Sequence, residues 1–294
     1  MSRSLTEPAG RRRSRTRTRR LAVTMGGALM LLVLTGCSQE TTDQWKRRGL
    51  PEPGSDRTVY VHDLWIGSWI AAGIIGVFTW GLILWAALRY RRRHDDELPT
   101  QVRYNLPIEV LYTIAPIIIV AVLFFFTVEK QNKVLAEVAK PDHQVVVTAQ
   151  QWSWTFNYIG ESGAGGTDVY DAGTTSIEPT LWLVKDQTVA FTLHSPDVIH
   201  SFWVPSFYFK RDVIPGRDST ISLTPTVAGD FVGRCAELCG FQHSRMLFKV
   251  HVTTQQEFDQ HMASLKTEGY TGVLRGGADS ETVAGLEKSQ GGAE

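Results

Sequence analysis

Cysteine is scarce in this sequence, and net charge is absent. Three cysteines in 294 residues exclude a small scaffold held together by disulfides. With 43% apolar and 20% charged residues, the chain is neither disordered nor collagen-like. Lys+Arg and Asp+Glu both number 30, so the formal charge is zero, which argues against a nucleic-acid binder. There is no internal repeat. The haem-attachment motif Cys-x-x-Cys-His is missing as well. What remains is a chain long enough for one or two domains.

The zero charge is a sum of segregated parts. Residues 1–36 carry eight arginines and one acid, Glu7, a net of +7. Residues 37–294 hold 22 basic and 29 acidic side chains, a net of −7. The arginines precede an uncharged stretch, Leu21–Gly36. It is short for a membrane span, which needs about 20 residues, and fits a secretory signal peptide over residues 1–36. It ends Leu34-Thr35-Gly36-Cys37, which resembles the lipobox of bacterial lipoproteins. That resemblance implies cleavage after Gly36 and a lipid on the Cys37 thiol. A lone buried cysteine is the alternative. Residues 37–63 then form an external segment.

Charge is missing again in two longer runs. Leu64–Leu88 has no charged residue over 25 positions, with Trp65, Trp69, Trp80 and Trp85 near its ends. Val110–Val128 is the second run, led in by Leu106–Glu109. Both are long enough to cross a bilayer, so residues 64–128 are expected to form a transmembrane helical hairpin, with spans at 64–88 and 107–128. The connector 89–106 opens with Arg89, Arg91, Arg92 and Arg93, and basic residues beside a span stay in the cytoplasm. Both ends of the mature chain are therefore expected outside, on a multi-pass protein of the plasma membrane. Glu109 sits at the inner end of the second span. It is either a capping or snorkelling acid, or a carboxylate that handles protons.

After a linker at 129–140 the pattern changes to period two. Apolar residues alternate at His143–Ala149, Trp152–Tyr158, Leu181–Val184, Thr188–His194, Ser219–Leu223, Phe231–Cys235 and Leu247–Val252. Short strands punctuated by Gly, Pro and Asp predict a sandwich or barrel over 141–266. The stretch 160–176 is Gly-rich and polar and reads as an exposed loop. Thr254-Gln255-Gln256-Glu257 is a capping box, and Phe258, Met262 and Leu265 line one face of a closing helix. Residues 267–294 read as a flexible tail.

The chemistry concentrates in Cys235-Ala236-Glu237-Leu238-Cys239-Gly240-Phe241-Gln242-His243-Ser244-Arg245-Met246. Two thiols, an imidazole and a thioether in 12 residues favour copper over hard cations. A disulfide is the competing reading of the two cysteines alone. Zinc is disfavoured by the methionine, and a single blue copper would need one cysteine. Two cysteines in one loop can bridge two coppers. A second imidazole is expected from His194 or His200.

The motif Cys-x-Glu-x-Cys-x-x-x-His-x-x-Met, preceded by Asp197-Val198-Ile199-His200-Ser201, resembles subunit II of haem–copper cytochrome c oxidases. The resemblance covers about residues 60–265, including Gln151-Trp152-Ser153-Trp154 and Ile214-Pro215-Gly216-Arg217. The lipobox start is similar to the actinobacterial type. The resemblance implies an all-β cupredoxin-like Greek-key barrel behind the hairpin, holding a binuclear CuA centre. It assigns His200, Cys235, Glu237 (by its backbone carbonyl), Cys239, His243 and Met246 to two coppers, and leaves His194 without a role. It further implies that the Glu237 side chain reaches a magnesium shared with subunit I. Trp152 would take up electrons from a c-type cytochrome or a cytochrome bc-type complex. Glu109 would stand at a proton-channel entrance, and Asp197 matches a docking acid. The implied activity is electron transfer to haem in subunit I, where O₂ is reduced to water with proton pumping. A quinol oxidase subunit II would lack the copper ligands, and a nitrous oxide reductase would need a further domain. A copper-binding membrane lipoprotein, carrier or sensor, is the alternative outside the family.

Overall fold

A computed structural model of the chain describes residues 39–92, 94 and 101–277. The expected signal peptide and Cys37 lie outside the described residues. Residues 39–50 belong to a unit of their own. It contains helix α1, Gln39–Lys46, with a Lys46–Asp43 ion pair of 2.9 Å.

Two long helices follow, α2 at Thr58–Arg89 and α3 at Leu106–Val134. Both are longer than the expected spans. At 1.5 Å per residue, 32 residues reach about 48 Å, against an apolar layer of about 30 Å. The extra turns therefore lie at the water-facing ends, where the chain carries Asp63, Lys130 and Lys133. Lys130 pairs with Asp63 at 3.3 Å across the two helices. Apolar side chains such as Val77 and Phe124 stand open on the helix surfaces. That exposure suits lipid, since a helix satisfies its own backbone groups there. Helix α3 starts at Asn105, whose side chain accepts from Ile108 N–H, with a proline in its first turn.

Among the described residues, ten strands make two five-stranded sheets. They are β1 His143–Gln150, β2 Ser153–Tyr158, β3 Val169–Ala172, β4 Thr180–Val184, β5 Val189–His194, β6 His200–Val204, β7 Phe209–Val213, β8 Ser219–Leu223, β9 Gly229–Cys235 and β10 Leu247–Thr253. One sheet runs β3-β2-β1-β5-β8 and the other β4-β10-β9-β6-β7. The pairs β1/β5 and β10/β4 are parallel, and the other pairs are antiparallel. This is the cupredoxin-like fold, built as a two-sheet sandwich.

The sheets face each other through aromatics. Between the sheets Trp154 meets Phe248 edge-on at 5.1 Å, and within the second sheet Phe202 stacks on Phe248 with ring centroids 5.1 Å apart. Each fully buried ring contributes about 1.5–3 kcal/mol of transfer free energy. A Cβ at Gly233 would run into the Phe248 ring, so only glycine lets β9 pass there.

Three strands escape the period-two pattern. Strand β6, His200–Val204, is buried at four of its five residues, so polarity does not alternate. Strand β7 carries Lys210, Arg211 and Asp212 along an edge. Strand β3 lies inside the stretch read as an exposed loop. It is only four residues long, and Val169 is fully buried there.

Helix α4, Gln255–Thr267, closes the sandwich with the expected capping box and buried Phe258, Met262 and Leu265. The expected loose tail does not begin at 267, because residues 270–276 are hydrogen-bonded and packed against the first sheet. Residues 51–57 are a second tie. Gly54 N–H donates to Ser206 O at 2.7 Å, and Asp56 and Thr224 exchange bonds of 2.9 and 2.8 Å. Arg57 donates to the carbonyls of Lys133 (2.6 Å) and Ala136 (3.1 Å), closing the end of α3. The hairpin is thereby fastened to the sandwich.

His143 is buried between the Glu161 carboxylate, 2.9 Å from Nδ1, and the Gln187 side-chain oxygen, 2.7 Å from Nε2. Burial opposes its charge, but acceptors at both ring nitrogens outweigh it, and its pKa is raised. A raised folded-state value stabilises the fold fully below the unfolded pKa. That stabilisation is lost as pH rises through the folded value. Denaturant melts of wild type and His143→Phe should therefore diverge most below the ordinary histidine pKa of about 6.5 and converge at alkaline pH. A pH-independent difference would refute the charged pair.

Candidate metal centre

Three segments of the second sheet meet at one end of the sandwich. Strand β9 ends at Cys235, β10 begins just after Met246, and β6 begins at His200. The intervening loop is tied down by its own backbone. Cys235 N–H donates to Met246 O at 3.0 Å, and Ala236 N–H to Ser201 O at 3.0 Å. A short 3₁₀ turn over His243–Arg245 returns the chain to β10. Trp154 supports the floor, with its indole N–H donating to Met246 O at 3.3 Å.

The donors converge. The sulfurs of Cys235 and Cys239 are 3.8 Å apart. Each faces its own imidazole: Cys235 Sγ lies 3.9 Å from His200 Nδ1, and Cys239 Sγ lies 3.5 Å from His243 Nδ1. Met246 Sδ is 3.8 Å from Cys239 Sγ, and the Glu237 carbonyl is 3.2 Å from Cys235 Sγ. His200, Cys235 and Cys239 place their ligand atoms within 4.8 Å of one another. Both thiols are free, and 3.8 Å is far beyond the ~2.05 Å of a disulfide. The geometry thus removes the disulfide reading. His200, Cys235, Cys239 and Met246 are buried, while His243 is partly open.

The electrostatics favour a cation. The hydrogen bond from Cys239, then His200, draws the Cys235 thiol down to about 3 against the effect of burial. The same bond from the other side, with burial, pushes the Cys239 thiol up. One proton leaves the pair easily, and the second is held by the negative charge already there. A bound cation would replace that second proton and make both sulfurs thiolates. The set of two sulfurs, two imidazoles and a thioether fits copper.

Asp197 has a part that the sequence did not reveal. Its carboxylate accepts from Gln151 N–H and Val198 N–H, both at 2.6 Å, and stands 2.9 Å from His200 Nε2. Burial would raise its pKa, but the His200 bond and the two amides lower it instead. Burial likewise opposes charge on His200, and the Asp197 bond reverses the outcome. His200 therefore donates through Nε2 and presents Nδ1 to the sulfurs, the arrangement that fixes a ligand imidazole. The Asp-x-x-His spacing on one turn was the available signal.

Trp152 is half-buried over the loop. A side chain at Gly240, whose φ is +128°, would come within 3.1 Å of the Trp152 indole and the Gln151 amide. Gln151 Nε2 donates to Cys239 O at 2.7 Å. Beyond this contact the loop tip is open: Leu238 is 78% and Phe241 93% exposed. His194 is held by Asp218 at 2.7 Å and is not among the converging donors. Glu109 lies apart on α3, where its carboxylate accepts from Asn105 N–H at 2.8 Å and caps the helix. The Glu237 side chain is exposed.

Residues 144–253 match the family model described as cytochrome c oxidase subunit II, periplasmic domain. A probable cytochrome c oxidase subunit 2 of Streptomyces avermitilis is 44% identical, over 92% of this chain and 95% of that one. The cytochrome c oxidase subunit 2 of Corynebacterium glutamicum is 34% identical, over 81% of this chain and 83% of its own. Among solved structures, the periplasmic domain of subunit II of cytochrome oxidase (CoxB) of Bradyrhizobium japonicum aligns at 26% identity. Its TM-score is 0.40, and the alignment covers 45% of this chain and 99% of that domain.

Asp197→Ala should lower copper affinity about 10–100-fold, the usual effect of removing a carboxylate behind a ligand histidine. Chelator competition measures it, with the unfolding midpoint as control. Unchanged affinity would show that His200 needs no such support.

Proposed function

Since the chain belongs to the subunit II family of cytochrome c oxidases, we propose that it is the electron-uptake subunit, holding a binuclear CuA centre. It takes electrons from a c-type cytochrome, free or within a cytochrome bc-type complex. It passes them to haem in subunit I, where O₂ is reduced to water with proton pumping. The observation that carries this reading is the convergence of Cys235, Cys239, His200, His243 and Met246, with each thiol facing its own imidazole.

Bound copper supplies one-electron redox chemistry. The chain's own residues do the rest. Cys235, Cys239, His200, His243, Met246 and the Glu237 carbonyl would together hold the two coppers. Ligands fixed by β6, β9 and β10 would move little between redox states, which favours fast transfer. Trp152, seated on the Cys239–Gly240 backbone, is the route by which electrons reach the centre. Residues 129–294 hold 13 basic and 20 acidic side chains, a net of −7. That charge would steer a basic cytochrome at low ionic strength. Leu238 and Phe241 would pack against a neighbouring oxidase subunit, beside a magnesium held in part by the Glu237 side chain.

The arginines of the connector support a cytoplasmic position for that segment and an outer one for the copper domain. A lipidated Cys37 on the outer face agrees with that orientation. Glu109 then lies at the inner membrane surface, as the carboxylate at a proton-channel entrance.

Two measurements test the reading. Copper-loaded protein should be purple, with two coppers per chain and an electron-spin signal shared by both. A colourless protein lacking copper would sink it. Glu109→Gln keeps an oxygen to accept from Asn105 N–H but cannot ionise. Turnover of the oxidase should fall while the copper spectrum and helix content stay unchanged. Full turnover would leave Glu109 as a cap alone.

A further inference from the structure

Beyond helix α4 the chain runs back across the first sheet, outside residues 144–253 that match the family model. Tyr270 N–H donates to Leu265 O at 2.9 Å, and Tyr170 N–H to Tyr270 O at 3.1 Å. Thr271 bridges to Val169 on β3, and Gly272 N–H donates to Asp168 O at 2.8 Å. Over β2 and β1, Leu274 is held on both sides. Its N–H donates to Asn157 Oδ1 at 2.6 Å, and its carbonyl accepts from Asn157 Nδ2 (3.1 Å) and Thr148 Oγ1 (2.9 Å). Asn157 and Thr148 are fully buried. Without Leu274, Asn157 Oδ1 and Thr148 Oγ1 would lose these partners.

The crossing ends beside the metal centre. Arg275 donates to Asp218 at 3.3 Å, next to His194. Gly276, at φ +73°, sits so close that a Cβ would strike Gln150 Oε1 and come within 2.9 Å of Pro196. At that φ a side chain would be strained, and the Gln150 side chain and Pro196 ring would have to give way to it. The two residues it touches each precede a group that holds the centre. Gln150 leads into Gln151, which donates to Asp197 and to Cys239 O. Pro196 leads into Asp197, which orients His200.

We propose that residues 270–277 are a positioning strap. They press the Gln150–Gln151 and Pro196–Asp197 turns together, which sets the orientation of His200 and the seat of Trp152 over the loop. The strap thereby tunes electron uptake. Its structural half stands on hydrogen bonds and packing, and its kinetic half rests on the copper reading above.

The test uses the assembled oxidase with the chain shortened after Gly269, which removes the strap, or after Gly277, which keeps it. Gly276→Val is the point variant. Amide hydrogen exchange is read at Gln151 and Val198, the two donors to Asp197, together with the reduction potential of the centre and donor oxidation. Removing the strap should speed exchange at both amides about tenfold or more, while Phe248 and Val250 stay protected. The potential should shift and donor oxidation should slow several-fold. The form ending at Gly277 should match the full chain, and Gly276→Val should move in the same direction as strap removal. Unchanged exchange at Gln151 and Val198 would overturn the strap. So would equal loss of protection at Phe248 and Val250, which would mark a general stabiliser. Faster exchange with unaltered potential and donor oxidation would overturn its kinetic half. Exchange is readable without copper, so a copper-free protein that still responds would sink the copper reading and leave the strap standing.

Discussion

Two buried sulfurs are held 3.8 Å apart, close enough to share a cation and too far to bond to each other. Two thiolates at that separation repel each other, and two thiols in contact are open to any oxidant that would join them as a disulfide. The fold must therefore keep them near and still. Cys235 is the last residue of β9, and Cys239 lies in a loop whose far end is pinned where Cys235 N–H meets Met246 O. Both ends of the loop are thus set by one antiparallel pair, β9 and β10. The Trp154, Phe202 and Phe248 rings behind it leave no slack for the strands to slide.

The same constraint explains why polar groups crowd one side of the site. An imidazole can turn, and only a partner on its other nitrogen stops it. Asp197 does this for His200, and Asp197 is itself fixed by two backbone N–H groups and the Ser195 hydroxyl. Each layer removes a rotation from the one inside it. The layers continue outward to Gln150, Pro196 and Gly276. At the other end of the chain, residues 51–57 and Arg57 tie the hairpin to the sandwich, so the domain does not hang from a free linker. The attachment of the hairpin and the geometry of the site each rest on hydrogen bonds that no periodicity announces.

Much of this was legible in the sequence because it depends on short range. Uncharged runs marked α2 and α3, and alternation marked seven strands. The Cys-x₃-Cys-x₃-His-x₂-Met spacing marked the loop, since all its donors lie in one segment. Helices α2 and α3 run past the uncharged spans because helices continue beyond the apolar layer wherever polar side chains reach water. Strand β6 was missed because burial on both faces erases alternation. Strand β3 was missed because four residues among glycines carry little pattern.

By itself the sequence determined the classes of chemistry: soft sulfur and imidazole donors, two apolar helices and a half-buried β domain. It did so because propensity, hydropathy and ligand softness are properties of residues and their near neighbours. Residue chemistry left His194 and His200 open and the family resemblance chose His200; the tertiary structure supplies the reason, since His200, 35 residues before Cys235, faces that sulfur while His194 turns to Asp218. It alone made Asp197 an orienting group and the stretch after Thr267 a packed crossing. Those outcomes depend on which strands lie side by side. The strand order β4-β10-β9-β6-β7 brings β6 against β9, and no local pattern encodes that adjacency.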